Sequence, residues 1–285
     1  MKTTLAAMVL ATAVLHASAQ VSVELVLDQE QFLPCESLPV AVKITNRSGQ
    51  RLHLGAEENW LAFNVESPDR GATIKIAEVP VLGAFDLESS QMATKRVNLQ
   101  PYFVLNRQGR YKITATLRIK DWATQVPSAP KNFDVISGAF LWSQEFGVPS
   151  TTNATPEVRK YTLEQANYLR TQLRLYLQVS DPSESRVYKV VALGPMVSFS
   201  QTEAKVDRLS QLHVLWQTGA QWFIYCVVSP NGTVLKRENY DCFSSRPRLS
   251  VNDTGDVLVA GGTRRLQPVE LPVVRPPNEL PPPKK

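Results

Sequence analysis

Between Val21 and Ile136 apolar and polar residues alternate with a period of two, run after run, as in strands that have one dry face and one wet face. "VSVELVL" opens the series, and "LPVAVKITNRSGQRLHL" places Val40, Val42 and Ile44 on a common face. The clearest run puts Tyr111, Ile113, Ala115, Leu117 and Ile119 on one side and Lys112, Thr114, Thr116, Arg118 and Lys120 on the other. "WLAFNVES", "KRVNL" and "KNFDVI" complete the set. Turn residues separate the runs: Asn46-Arg47-Ser48-Gly49 after one, Pro68-Asp69-Arg70-Gly71 after another. Short strands spaced by turns, with no helical period among them, predict a β-sandwich over residues 20–137.

From Gly138 the texture changes. "SGAFLWSQEFGVPSTTNATPEV" reads as a connector of small and polar residues. The stretch 156–168 admits two readings. One is a helix capped by Thr155 with Pro156 at its first position; the other is a strand from Lys160 to Ala166 followed by a turn. The strands around it favour the second. Leu173, Leu175, Leu177 and Val179 then alternate, Asp181-Pro182 turns, and Val187 to Leu193 return as a hairpin. Three further strands, Leu212–Gln217, Trp222–Val228 and Thr233–Tyr240, are joined by "TGAQ" and "SPNG", and a hairpin crosses Asn252-Asp253-Thr254-Gly255. The middle strand is apolar on both faces, with Trp222, Ile224, Cys226 and Val228 on one and Phe223, Tyr225 and Val227 on the other. Such a strand has to be covered from both sides and is expected at the centre of its sheet. The expected fold is therefore all-β: a sandwich, then a second antiparallel meander domain over residues 138–263.

The ends of the chain differ from its body. Lys2, an apolar run from Leu5 to Leu15 and Ala17-Ser18-Ala19 have the order of a secretory signal, so residues 1–19 are expected to be removed and Gln20 to begin the mature chain. The 11-residue apolar run is too short to cross a bilayer, which takes about 20 residues. No later stretch is long enough either, so the mature protein is expected to be exported, secreted or periplasmic, with no transmembrane segment. Residues 264–285, "RRLQPVELPVVRPPNELPPPKK", hold seven prolines in 22 positions. They are expected to form an extended polyproline tail.

Gly109 and Tyr111 stand at the mouth of the longest alternating run. Glycine permits a tight approach of the backbone, and a tyrosine there can bury its ring while its hydroxyl reaches a nearby backbone group. Together with "QFLPCESLPVAVKITNRSG", these residues make the first half resemble bacterial immunoglobulin-like domains, in which a tyrosine near the start of the penultimate strand pins a corner between the sheets. The paired cysteines and core tryptophan of antibody domains are missing. The first half is also faintly similar to BsuPI-type proteinase inhibitors. The first resemblance implies a non-enzymatic exported protein that binds a partner or serves at a surface; the second implies an inhibitor offering an exposed loop such as Ser67–Gly71 to a protease. In the second half, "HVLWQTG" and "FIYCVVSPNG" running into "RPRLSVNDTGDVLVAGG" resemble the blades of sialidase-type propellers. A propeller needs at least four blades, and about 125 residues hold two or three, so a second sandwich fits the length better.

Composition narrows the chemistry. At 43% hydrophobic and 20% charged residues the chain can bury real cores. The formal charge of +5 is spread thinly: residues 20–137 balance 13 acidic against 13 basic residues. Nucleic acid is not an expected partner, since its footprint is clustered basic residues. Cys35, Cys226 and Cys242 allow one bridge or three free thiols; across an "SPNG" hairpin Cys226 would face Arg237 or Glu238 rather than Cys242. After residue 19 only His53 and His213 remain, far apart, so no metal, cofactor or catalytic residues are assigned. A glycosidase reading would need Arg246, Arg248, Arg264 and Arg265 on one pocket wall near Tyr240 and Asp207. Trp60, Trp122 and Trp142 lie by loops and are candidate contacts for a protein or glycan partner, as are Arg246 and Arg248, whereas Trp216 and Trp222 read as structural. Asn46, Asn153, Asn231 and Asn252 begin Asn-x-Ser/Thr triplets.

Overall fold

The computed structural model describes residues 20–67, 71–148, 157–169 and 171–266. The signal-peptide reading, the middle of the 67–71 loop and nearly all of the 264–285 tail lie outside them. Among the described residues the chain is all-β, with two single-turn 3-10 segments and no helix long and apolar enough to cross a membrane.

Eleven strands build the first half: β1 (Val21–Leu27), β2 (Gln31–Phe32), β3 (Pro39–Asn46), β4 (Leu52–Leu54), β5 (Leu61–Ser67), β6 (Gly71–Ala72), β7 (Phe85–Leu87), β8 (Met92–Asn98), β9 (Gly109–Ile119), β10 (Thr124–Pro127) and β11 (Lys131–Val135). One sheet runs β1-β3-β8 and the other β2-β11-β9-β5-β6, with β10 also paired to β9; β4 and β7 form a small hairpin. The pairings are antiparallel except that of β2 with β11. The alternating faces meet as expected. Val23, Leu25, Val42 and Ile44 from one sheet and Val65, Ile113, Leu117 and Phe133 from the other share one dry core.

The second half adds β12 (Ala139–Gly147), β13 (Val158–Leu169), β14 (Gln172–Ser180), β15 (Val187–Pro195), β16 (Glu203–Val206), β17 (Leu212–Gln217), β18 (Trp222–Val228), β19 (Val234–Asp241), β20 (Arg248–Val251), β21 (Val257–Ala260) and β22 (Thr263–Arg265). Meander β12-β13-β14-β15 packs on β16-β17-β18-β19-β22 around Tyr161, Leu177, Trp216 and Cys226. The outer face of the second sheet is covered in turn by the β20-β21 hairpin, where Leu249 and Val257 pack against Leu215, Phe223, Tyr225 and Val227. Strand β18 is thus central and covered on both sides, as its two apolar faces require.

Two readings resolve here. The 156–168 stretch is strand from Val158 onward, because Tyr161 and Leu163 point into the core at period two. The connector after Gly138 is instead largely strand β12, a correction with a clear cause. As an edge strand it leaves most of its residues exposed, and an irregularity between Phe140 and Trp142 breaks its alternation.

Only Ile136, Ser137 and Gly138 separate β11 from β12. A Cβ on Gly138 would lie 2.5 Å from Glu164 Oε2, so any side chain there would have to push Glu164 aside. Beside it Leu33 packs with Ala166, Tyr176 and Val190. Glu36, buried and bridged to Val190, accepts hydrogen bonds from Leu33 N at 2.8 Å and Gln29 Nε2 at 2.9 Å. Arg174 donates to Gln29 Oε1 at 2.9 Å and stacks over the Tyr168 ring.

Burial holds the Glu36 carboxyl above the usual carboxylate range, against the hydrogen bonds from Leu33 and Gln29 and the charge of Arg174. A raised value means that the folded protein keeps a proton the unfolded chain has already released. That increment of stability is therefore complete below the ordinary glutamate range and is lost as pH rises through the raised value. Urea unfolding between roughly pH 4 and 7 should show a midpoint that declines with pH in the wild type, and Glu36→Gln should flatten that slope. An unchanged slope in the variant refutes this account of the joint.

Candidate functional site

Tyr111 and Gly109 sit where the alternating pattern implied. The Tyr111 ring is buried, stacked on Phe133 with centroids 5.3 Å apart, and its hydroxyl donates to Arg107 O at 2.7 Å, four residues upstream. Gly109 holds φ at +148°, a region that disfavours side chains.

The tryptophans sort differently from the expectation. Trp60 is buried and donates from Nε1 to Val81 O at 2.7 Å, which leaves nothing for a ligand. Trp142 is half-buried against the second core. Trp216 is fully buried and donates to Pro195 O at 3.0 Å. Trp222, read as core, is 58% exposed. It shares the inward phase of Ile224 but opens its strand, one residue beyond the sandwich end, so phase alone misassigned it.

The arginines do not gather on one wall. Arg264 and Arg265 are neighbours on β22 and point to opposite faces, one onto Glu238 at 2.7 Å and the other onto Asp241 at 2.5 Å. Arg246 lies over the Phe223 ring at 5.4 Å, and Arg248 is exposed at the start of β20. The three cysteines are free, and Cys226 pairs across the hairpin with Arg237. Burial pushes its thiol up to about 11, which makes it a poor nucleophile.

His213 is packed against its sheet. Its Nδ1 stands 2.7 Å from the Tyr225 hydroxyl and its Nε2 3.3 Å from Asp207 Oδ2. Burial pushes Tyr225 up to about 12, so it stays a phenol beside the ring. Only 7% of His213 is exposed, so the chain Asp207–His213–Tyr225 braces the sheet and is closed to a substrate. Among the described residues no group of three His, Cys, Asp or Glu could hold a metal ion. Asn46 is buried, with Nδ2 donating to Gln50 O at 2.7 Å and Leu87 O at 2.9 Å, so that triplet is structural. Asn231 Oδ1 accepts from Arg159, Asn252 closes its own turn onto Asp256, and Asn153 lies outside the described residues.

Trp122 is the predicted contact that reaches an opening. At the seam where the two sheets of the first sandwich part, a cavity of about 670 Å³ is lined by Gln20, Ser48, Gln50, Trp122, Thr124 and Gln125, with Val21 and Val126 as apolar wall. Trp122 ends a 3-10 turn that closes on Ala123, held at φ +49° with its N–H on Lys120 O. Thr124 Oγ1 then donates to Trp122 O at 2.8 Å. Strand β9 pairs with β11 over Gly109–Ile113 and with β10 over Thr116–Ile119. Between the two, Ser128 N donates to Ala115 O at 2.7 Å, and Ser128 Oγ accepts from Ala115 N at 3.0 Å. Backbone groups alternate in direction along a strand, so with Ser128 facing β9, the N–H and C=O of Gln125 face the open seam. The open edge of β10 escaped the sequence reading because "TQVP" is too short to show a period.

No protein-family profile matches the chain, and no curated protein matches it. Among solved structures it is similar to Spo0M, the sporulation control protein of Bacillus subtilis. The TM-score is 0.32 and the identity 8%, over 61% of this chain and 89% of that chain. A likeness at that level carries neither fold nor function from one to the other.

Tyr111→Phe keeps the stacked ring and removes the hydroxyl that donates to Arg107 O. It should lower the unfolding free energy by about 1 kcal/mol, measured by urea denaturation. A neutral substitution would mean that the corner is held by packing alone.

Proposed function

We propose that the chain is an exported, non-catalytic binding protein whose first sandwich is immunoglobulin-like and takes an extended polypeptide segment along the open edge of β10. The immunoglobulin-like reading is supported by the strand order, with β1-β3-β8 facing β11-β9-β5, and by the Tyr111 hydroxyl on Arg107 at the start of β9. Export rests on the signal-like first 19 residues.

The observation that carries the binding reading is the seam beside β10. It joins a strand edge that is unpaired among the described residues to a half-buried tryptophan and a ring of uncharged amides and hydroxyls. A peptide added as a strand gains main-chain hydrogen bonds from such an edge, and its alternate side chains enter the neighbouring cavity. The uncharged lining favours a segment without strong charge of its own.

Panning the mature protein against a displayed library of random peptides tests this. Enriched peptides should be extended and uncharged. Gln125→Pro deletes an outward N–H without touching the ladder to β9, and should weaken them by about tenfold, a loss of about 1.4 kcal/mol. Trp122→Ala should weaken them similarly. Enrichment of no peptide, or binding indifferent to both variants, rejects the reading.

A further inference from the structure

Three loops meet at the end of the second sandwich where the first joins it. Val197 N donates to Gln217 O at 3.2 Å, Thr218 N to Trp222 O at 2.8 Å and Cys242 N to Gln221 O at 2.8 Å, so the β15-β16, β17-β18 and β19-β20 loops are stitched side by side. Two of them carry an exposed aromatic residue, Phe199 at 80% and Phe243 at 72% exposure, and Trp222, 58% exposed, opens β18 beside the third. None of these rings belongs to either core of this half.

The Trp222 ring is held rather than loose. A Cβ on Gly219 would lie 2.9 Å from its six-membered ring, so the ring rests against a glycine turn while more than half of the residue stays exposed. Gln217 Nε2 fixes that turn by donating to Gly219 O at 2.8 Å and Ala220 O at 3.2 Å. The same loops, residues 196–202, 218–221 and 242–247, hold one charged residue among 17 positions, Arg246, which lies over the Phe223 ring. At the chain's 20% charged composition about three charges would be expected there. In their place stand Gln201, Gln221, Ser244 and Ser245.

We infer that this end of the second sandwich is a platform for an uncharged glycan. A sugar ring presents a C–H face that packs on an aromatic ring, and around its rim hydroxyls that pair with amides and hydroxyls. Aromatic rings set among uncharged hydrogen-bonding side chains supply both halves. The other occupants of an exposed aromatic patch call for something different. A membrane-surface element carries Lys and Arg around its apolar face, and a protein interface is enriched in Arg with a charged rim. With Arg246 the one charge of these loops, and turned onto the Phe223 ring, the surface matches neither. The platform is separate from the seam beside β10 and does not depend on the proposed role of that seam.

The test uses the mature full-length protein with a neutral-glycan array, soluble cellohexaose, chitohexaose and laminarin, and phosphatidylcholine vesicles. At least one neutral glycan should bind, with a change in tryptophan fluorescence. Trp222→Ala and Phe243→Ala should each weaken it by about tenfold or more, Trp222→Phe should retain most of it, and Trp122→Ala and Gln125→Pro should leave it unchanged. Both alanine variants replace exposed side chains, and circular dichroism checks that they fold. The inference is overturned by no neutral glycan binding at millimolar concentration, or by binding that survives both alanine variants. It is equally overturned if Trp222→Ala abolishes vesicle adsorption or self-association instead.

Discussion

Strand β18 cannot tolerate water on either side, and the second half of the molecule is arranged around that constraint. Ile224, Cys226 and Val228 face inward, and their burial draws the β12-β15 meander across them. Phe223, Tyr225 and Val227 face the other way, and left bare they would expose an apolar patch in the middle of a sheet. The chain answers by folding β20 and β21 back as a third layer, tied down by Glu203, whose carboxylate accepts from Leu249 N at 2.7 Å. Polar residues that fall under this cover must find partners there. His213, Tyr225 and Asp207 do so with one another.

The same constraint explains where the cover stops. Phe223 is 4% exposed and Trp222, one residue earlier, 58%. The sandwich ends between them. Beyond that line nothing drives burial, and the loops there have a composition of their own. In the first half the equivalent break falls between β10 and β11, where Ser128 patches the ladder of β9 with its hydroxyl while β10 keeps an edge without a partner among the described residues. Each half is well packed along its length, and its opening lies where strands end or change partners.

Period-two patterning made most of the body legible. The strands with one dry face, such as β1, β5 and β9, follow their alternation, and the doubly apolar β18 announced its own burial. Patterning failed at the edges, for a physical reason. Strand β12 is solvated on much of its surface, β10 spans four residues, and neither has an apolar stripe to read. It failed similarly for side chains whose fate depends on distance from a sheet end rather than on phase. Trp60 and Trp222 lie at comparable positions beside turns, yet one finds Val81 O inside a loop fold and the other overhangs a glycine. Of the ligand contacts suggested by residue type, Trp122 lines a cavity. Recognising the open edge beside it needed the register of β9, because the alternation along β9 runs straight past the change of partner.

The three-residue passage through Gly138, wedged against Glu164 and flanked by the buried Glu36 node, leaves little slack between the halves. A flexible linker would let two weak sites search independently and lose most of the gain of acting together. A taut one sets a fixed spacing between the halves, so a partner offering a polypeptide segment to one and a glycan to the other would gain from both only if it matched that spacing. In such an arrangement the hinge residue acts as a ruler.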